Sequence, residues 1–248
     1  MLFSIITVTY NAEDTIEKTL ESLANQMFSN YELIVIDGKS EDSTLQKVES
    51  FNGKIENMKV ISESDTGIYN AMNKGVSHAK GEFIYFLNSG DSFVDSSVLE
   101  NVSFFIENHI SKFQDRKEWI FHGNIFRGGT LRQYPATYDK WKWIYLEHAY
   151  FSHQAIFASR SILKNNPFDE SFKICADRDW FISVMSKGSE YVYMKDITIA
   201  NYAEGGVSSN LKKMMEESLL ISRRYGGTKA YYFVRLKRKV GELLGHER

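Results

Sequence analysis

Within the first ninety residues, buried-type strands and helical stripes alternate four times, and this rhythm restricts the chain more than any other feature. FSIITVTY (3–10) is a continuous β-branched run of the kind covered on both faces. Ile16, Leu20, Leu23, Ala24 and Met27 then recur at helical spacing. YELIVID (31–37) is a second buried run, Leu45, Val48 and Phe51 mark a helix, and MKVIS (58–62) is a third strand. Ile68, Ala71, Met72, Gly75 and Ala79 form another stripe before EFIYFLN (82–88). Repeats of about 25–30 residues in this order predict an α/β fold, a Rossmann-like, mostly parallel sheet flanked by helices.

In such a sheet, ligands bind outside the carboxyl ends of the strands. Polar residues gather at those ends: Thr9-Tyr10-Asn11, Asp37-Gly38-Lys39-Ser40, Glu63-Ser64-Asp65 and Asn88-Ser89-Gly90-Asp91. One such cluster alone is explained by helix capping, for which Asn, Asp and Ser are the preferred residues. Four in succession point to a site for a polar ligand.

The rhythm loosens after residue 100. Val98–Ile110 reads as an amphipathic helix and EWIFHGN (118–124) as a strand. Residues 128–150 read as irregular, and AIFAS (155–159) as a short strand. A helix over Asp177–Lys187, strands at 190–194 and 197–202, and two helices beyond the Gly205-Gly206 hinge complete the pattern. With 248 residues, 43% of them hydrophobic, the chain can bury a large single core. The net charge of −2 gives no general attraction to nucleic acid. A single cysteine, Cys175, excludes an intrachain disulfide and a cysteine zinc cluster and fits a reducing cytoplasm. The opening segment reads as a strand and not as a leader. No apolar run reaches the roughly 18–20 residues of a membrane span.

The set TVTYNAEDTIEKTLESLANQ, VIDGKSEDST and SESDTGIYNAMNKGVSHAKGEFIYFLNSGD resembles glycosyltransferase family 2. The resemblance is close over residues 1–95 and looser through HQAIF (153–157) and ADRDW (176–180) to about Gly206. It implies a GT-A fold with C-terminal helices and inverting transfer of a sugar from a nucleotide-sugar donor, most commonly a UDP-sugar. The acceptor it implies is a saccharide or lipid-linked saccharide of a bacterial surface polysaccharide. The implied organisation is a glycosyltransferase domain over 1–208, with a nucleotide-sugar half at 1–95 and an acceptor half at 96–208. A helical tail then covers 209–248.

By the same resemblance, Thr7, Thr9, Tyr10 and Asn11 meet the nucleoside, and Asp37 and Asp65 accept from the base or ribose. Gly38 lets the backbone pass close to the ligand. The family's fourth strand ends in an acidic motif that binds a divalent cation, Mg²⁺ or Mn²⁺, on the diphosphate. Here one of its carboxylates is missing and Asp91 remains, with Asn88 and Ser89 beside it as donor contacts. One carboxylate is sufficient when phosphates and water complete the coordination. The alternative is an ordinary turn capped by Asp91.

Inverting transfer also needs a base for the acceptor hydroxyl. Asp177 matches the family's catalytic carboxylate, with helix capping as its competing role and Asp179 as the rival base. His153 and Gln154 fall between the donor and acceptor halves. Ser208 lies in a Gly-hinged segment of the kind that closes over the diphosphate. Lys229, Arg235, Lys237, Arg238 and Lys239, interleaved with Tyr231, Tyr232, Phe233, Val234 and Leu236, suit peripheral contact with the inner face of an anionic membrane; the alternative is a short helix packed on the core with its charges solvated. Two other readings compete. One is a nucleotide-sugar-forming nucleotidyltransferase, for which Tyr10-Asn11-Ala12-Glu13-Asp14 lacks the usual glycine-rich basic loop. The other is a non-catalytic nucleotide- or glycan-binding module, against which Asp91 and Asp177 both stand.

Overall fold

The computed structural model describes residues 1–112, 118–134, 137–145, 152–203 and 210–243. Its first half follows the expected rhythm: β1 (Phe3–Thr9), α1 (Ile16–Ala24), β2 (Tyr31–Asp37), α2 (Thr44–Glu49), β3 (Met58–Ser62), α3 (Ile68–His78) and β4 (Phe83–Phe86). These strands are parallel in the order β3-β2-β1-β4. Strand alternation sorts the side chains into two cores. Phe3, Ile5, Leu33, Val35 and Tyr85 face Leu20 and Leu23 of α1. Ile6, Val8, Ile34, Ile36 and Phe86 face Met72 and Val76 of α3. Each large aliphatic or aromatic group so buried contributes roughly 1.5–3 kcal/mol.

The second half extends this sheet in a mixed sense. It comprises β5 (Ser92–Phe93), α4 (Val98–Ile110), β6 (Trp119–Arg127), β7 (Thr130–Arg132), α5 (Lys140–Tyr145), β8 (Ile156–Ser159), α6 (Arg160–Asn165), α7 (Ala176–Ser186), β9 (Glu190–Tyr202) and α8 (Leu211–Leu243). β8 runs antiparallel to both β4 and β6, β9 runs parallel to β6, and β5 pairs antiparallel with β9. Among the described residues the strands form one nine-stranded sheet.

Several boundaries differ from expectation. The two strands read at 190–194 and 197–202 are one, β9, whose register against β6 shifts around Gly123, so the local irregularity is a bulge and not a turn. The stretch read as irregular contains β7 and α5. The two terminal helices are the arms of α8, broken at Gly227 (φ 70°, ψ −168°). Arg238 Nη1 donates to Met215 O at 2.7 Å. A straight helix would hold those residues roughly 35 Å apart, so the arms fold back on each other. Among the described residues no helix is long and apolar enough to cross a membrane.

Candidate active site

Register builds the first part of the site. Thr9 is paired with Asp37, and Asp37 with Ser62, so three strand ends finish in one row. Asp37 is fully buried; its Oδ2 accepts from Ser62 Oγ at 2.7 Å and Ser40 N at 3.0 Å, and its Oδ1 from Ser40 Oγ. The hydroxyls of Thr7 and Thr9 are buried without a protein partner. Asn11, at φ 44°, zips the loops after β1 and β2 together: its N–H donates to Ser40 Oγ and its Oδ1 accepts from Glu41 N. Tyr10 stays 63% exposed.

Gly38 lies between Tyr10 and Asp65, where an added Cβ would stand 2.8 Å from Asp65 Oδ2 and 3.2 Å from the Tyr10 ring. A larger residue there would push the Asp65 carboxylate and the Tyr10 ring out of their present positions. Asp65 Oδ1 accepts from Gly67 N at 2.9 Å, which fixes the carboxylate beside that floor. An exposed aromatic face next to carboxylate acceptors can receive a planar base bearing N–H groups.

The end of β4 is the second part. Ser89 Oγ shares a hydrogen bond with Thr15 Oγ1 at 3.0 Å. Gly90 has φ 98°, and a Cβ there would meet the Ala203 Cβ at 3.0 Å. A side-chain carboxylate at 90 is therefore disfavoured by the loop itself. Asp91 is 3% exposed; its Oδ1 accepts from Ala203 N at 2.8 Å, and the Gln154 side chain lies beside the same carboxylate. Burial pushes the Asp91 carboxyl up from its ordinary value, against the pull of the Ala203 N–H and of the neighbouring His153. Asn88 Oδ1 is buried and unpartnered. Among the described residues no group of three or more His, Cys, Asp or Glu gathers around a possible metal position.

The third part connects these strand ends to α7. His153 and Gln154 occupy a short 3-10 turn, pinned by Tyr85 Oη donating to Gln154 O at 2.7 Å. Gln154 reaches Asp91, while His153 Nε2 lies 3.0 Å from Asn88 Nδ2 and His153 Nδ1 lies 2.9 Å from Asp177 Oδ2. With Asn88 donating to Nε2, the ring proton sits on Nδ1 and points at Asp177. Asp177 Oδ1 accepts from Arg178 N at 2.8 Å and contacts Tyr69 Oη at 3.0 Å. A carboxylate has about four lone-pair positions, and the protein occupies at most three, because the single Tyr69 proton is shared between Oδ1 and the nearer Ile174 O; at least one position on Oδ2 is left without a protein donor. Asp177 therefore lies on the same side of the molecule as Asp91, linked to it through the His153-Gln154 dipeptide.

Asp179 lies elsewhere. Its Oδ2 accepts from Arg224 Nη1 at 2.9 Å, and burial raises its pKa against that cation. Two helical positions turn it about 200° away from Asp177, into the packing of α7 on α8. Ser208 falls outside the described residues.

Three contributors were missed in the sequence. Tyr69 is buried one place off the α3 stripe and meets both Asp177 and Ile174 O, the latter at 2.6 Å. Glu217 is 2% exposed and accepts from three successive backbone N–H groups, Lys173, Ile174 and Cys175, at 2.8–3.0 Å. Arg178 is buried and donates to Ser218 Oγ at 2.9 Å. Through Glu217 and Ser218, α8 clamps the segment that presents Asp177. The adjacent Glu216-Glu217 pair looks like a solvated helix face in the sequence, so nothing marked the second residue as buried.

Residues 4–166 match the family model described as Glycosyl transferase family 2. A PGL/p-HBAD biosynthesis glycosyltransferase of Mycobacterium bovis is 28% identical over 229 residues, covering 91% of this chain and 86% of that one. The Escherichia coli UDP-Glc:alpha-D-GlcNAc-diphosphoundecaprenol beta-1,3-glucosyltransferase WfgD is 28% identical over 218 residues, 87% of this chain and 83% of its own. The crystal structure of S. aureus TarS 1–349 in complex with UDP-GlcNAc superimposes with a TM-score of 0.71 at 21% identity, covering 94% of this chain and 70% of that chain. With the parallel β3-β2-β1-β4 core and its antiparallel extension, these findings lead to one assignment: the chain belongs to glycosyltransferase family 2 and has the GT-A fold.

Proposed function

We propose that the protein transfers one sugar, with inversion, from a UDP-sugar to a saccharide or lipid-linked saccharide at the cytoplasmic face of a membrane. The observation that carries this reading is the continuous hydrogen-bonded path Asn88–His153–Asp177, which runs from the donor strand ends to a carboxylate with an open lone pair. The uracil and ribose lie by Tyr10, Gly38, Asp37 and Asp65, with the diphosphate at the end of β4. Asp177 accepts the proton of the acceptor hydroxyl as it attacks the anomeric carbon. His153 and Tyr69 hold that carboxylate in place, so little reorganisation is needed at the moment of attack. Similarity to WfgD, whose acceptor is a diphosphoundecaprenol-linked sugar, supports this acceptor class.

A divalent cation fits this site as a companion of the donor. Two structural neighbours were solved with Mn²⁺ and a nucleotide or nucleotide-sugar. Here the available hard oxygens are the unpartnered Asn88 Oδ1 and the Asp91 carboxylate, with phosphates and water as the remaining ligands. When bound, the ion neutralises charge on the departing diphosphate. Thermal-shift screening of UDP-, GDP- and dTDP-sugars with and without Mn²⁺, followed by UDP release with a saccharide acceptor, tests the reading. Stabilisation by a UDP-sugar and acceptor-dependent UDP release are expected. A chain that binds no nucleotide-sugar, or binds one and never releases UDP, would refute it.

A further inference from the structure

The outer arm of α8 carries a surface that the transfer chemistry does not use. Residues 228–241 of this arm contain five Lys or Arg and no Asp or Glu, in a chain whose net charge is −2. Ala230 and Val234 are fully buried and fasten this arm to the protein. On the opposite side Tyr232, Leu236 and Val240 recur every fourth residue and are 60%, 62% and 45% exposed, with Phe233 beside them at 56%. The patch continues onto α5: the Phe233 ring meets Tyr145 edge-on at 5.2 Å, and Trp141, 57% exposed, stacks on Tyr145. Lys229, Arg235 and Lys239 are exposed along its margins.

We infer that this α5–α8 face docks the enzyme on an anionic lipid bilayer. Apolar and aromatic side chains flanked by lysine and arginine are what an interfacial helix requires, the rings entering the headgroup layer while the cations meet lipid phosphates. Charge chooses the occupant. A second copy of the chain would bring one cationic margin against another, whereas an anionic surface neutralises it. The inference takes its biological sense from the lipid-linked acceptor proposed above, yet its test involves no turnover.

The full chain is sedimented with vesicles of phosphatidylcholine alone and of phosphatidylcholine mixed with phosphatidylglycerol. Binding to the mixed vesicles and weakening by salt are expected. Arg235→Glu with Lys239→Glu should lower partitioning about tenfold or more, since each basic residue near such a surface contributes about fivefold. Leu236→Ser with Val240→Ser should abolish it. All four positions are exposed, so unchanged thermal melts separate lost docking from lost folding. Equal sedimentation with both vesicle types, or partitioning indifferent to these substitutions, would overturn the inference. So would light scattering that shows a dimer dissolved by the same variants. Failure to release UDP in solution would count against the transfer reading and leave the vesicle result standing.

Discussion

His153 Nδ1 stands 2.9 Å from Asp177 Oδ2, a contact between the turn that enters β8 and the first turn of α7. Both side chains are about five-sixths buried, at 16% and 15% exposure, so water competes weakly for the bond. Its partner on the other ring nitrogen is Asn88, at the end of β4. The imidazole thus joins the end of β4 to the start of α7.

Replacing that link should impair the reaction more than the binding. His153→Ala frees the Asp177 carboxylate to rotate and leaves the Asn88 amide without its partner. A fall in kcat of about tenfold to a hundredfold is expected, the range for a misplaced reacting group, with donor affinity little changed. Steady-state kinetics with a fixed acceptor checks this. A kcat equal to that of the parent protein would remove His153 from the machinery.

Asp91 predicts a pH dependence. Its folded-state pKa is raised by burial, so the folded protein holds that proton to higher pH than the unfolded chain does. The contribution is present below the ordinary carboxylate range and is lost as pH rises through the raised value. Asp91→Asn should therefore gain stability relative to the parent at neutral pH, and the gap should close on acidification. With UDP and Mn²⁺ the order should reverse, because a bound cation favours the charged carboxylate. Melting curves across pH, with and without these ligands, decide; parallel curves in both conditions would contradict the assignment.

Glu217 should behave as a structural clamp with a functional reach. Glu217→Ala leaves three backbone N–H groups without their acceptor and should cost about 2–3 kcal/mol in denaturant titrations, within the range for buried unmade hydrogen bonds. Because those groups lead directly into α7, kcat should also fall at temperatures where the variant is fully folded. A stability loss with unchanged kcat would restrict Glu217 to the fold.

Cys175 offers a probe of the same segment. Burial, reinforced by the nearby Asp177 charge, pushes its thiol up to about 12, and its side chain is 6% exposed. Thiol reagents at neutral pH should label it only as fast as the start of α7 opens, and a bound UDP-sugar should slow that labelling. Rapid modification of the native protein, at the rate of a free thiol, would contradict the packing.

The parallel half of the fold was readable because its strands are short runs rich in β-branched or aromatic residues and its helices carry apolar stripes between them. In the extension, AIFAS reads as a strand and is β8, but β5, with two residues, is too short for any period to register, and the antiparallel pairing of β8 with β4 has no signal in the sequence. The polar strand ends marked Tyr10, Asp37 and Asp65 as neighbours, and the structure places them around Gly38. The partners of Asp177 were less legible. His153 is separated from it by 24 residues and Tyr69 by 108, and a tyrosine in a helix ordinarily signals packing. The folded-back arms of α8 depend on one residue, Gly227, inside a Gly-Gly pair that reads in sequence as a weak helix interruption.

The central claim is that Asp177 activates the acceptor while the strand ends hold the donor. It is tested most directly by comparing Asp177→Asn with the parent protein for UDP-sugar affinity by calorimetry and for kcat with a saturating acceptor. The account predicts an affinity within about twofold and a kcat lower by at least about a hundredfold, as loss of a general base requires. Near-normal turnover by the variant would contradict it.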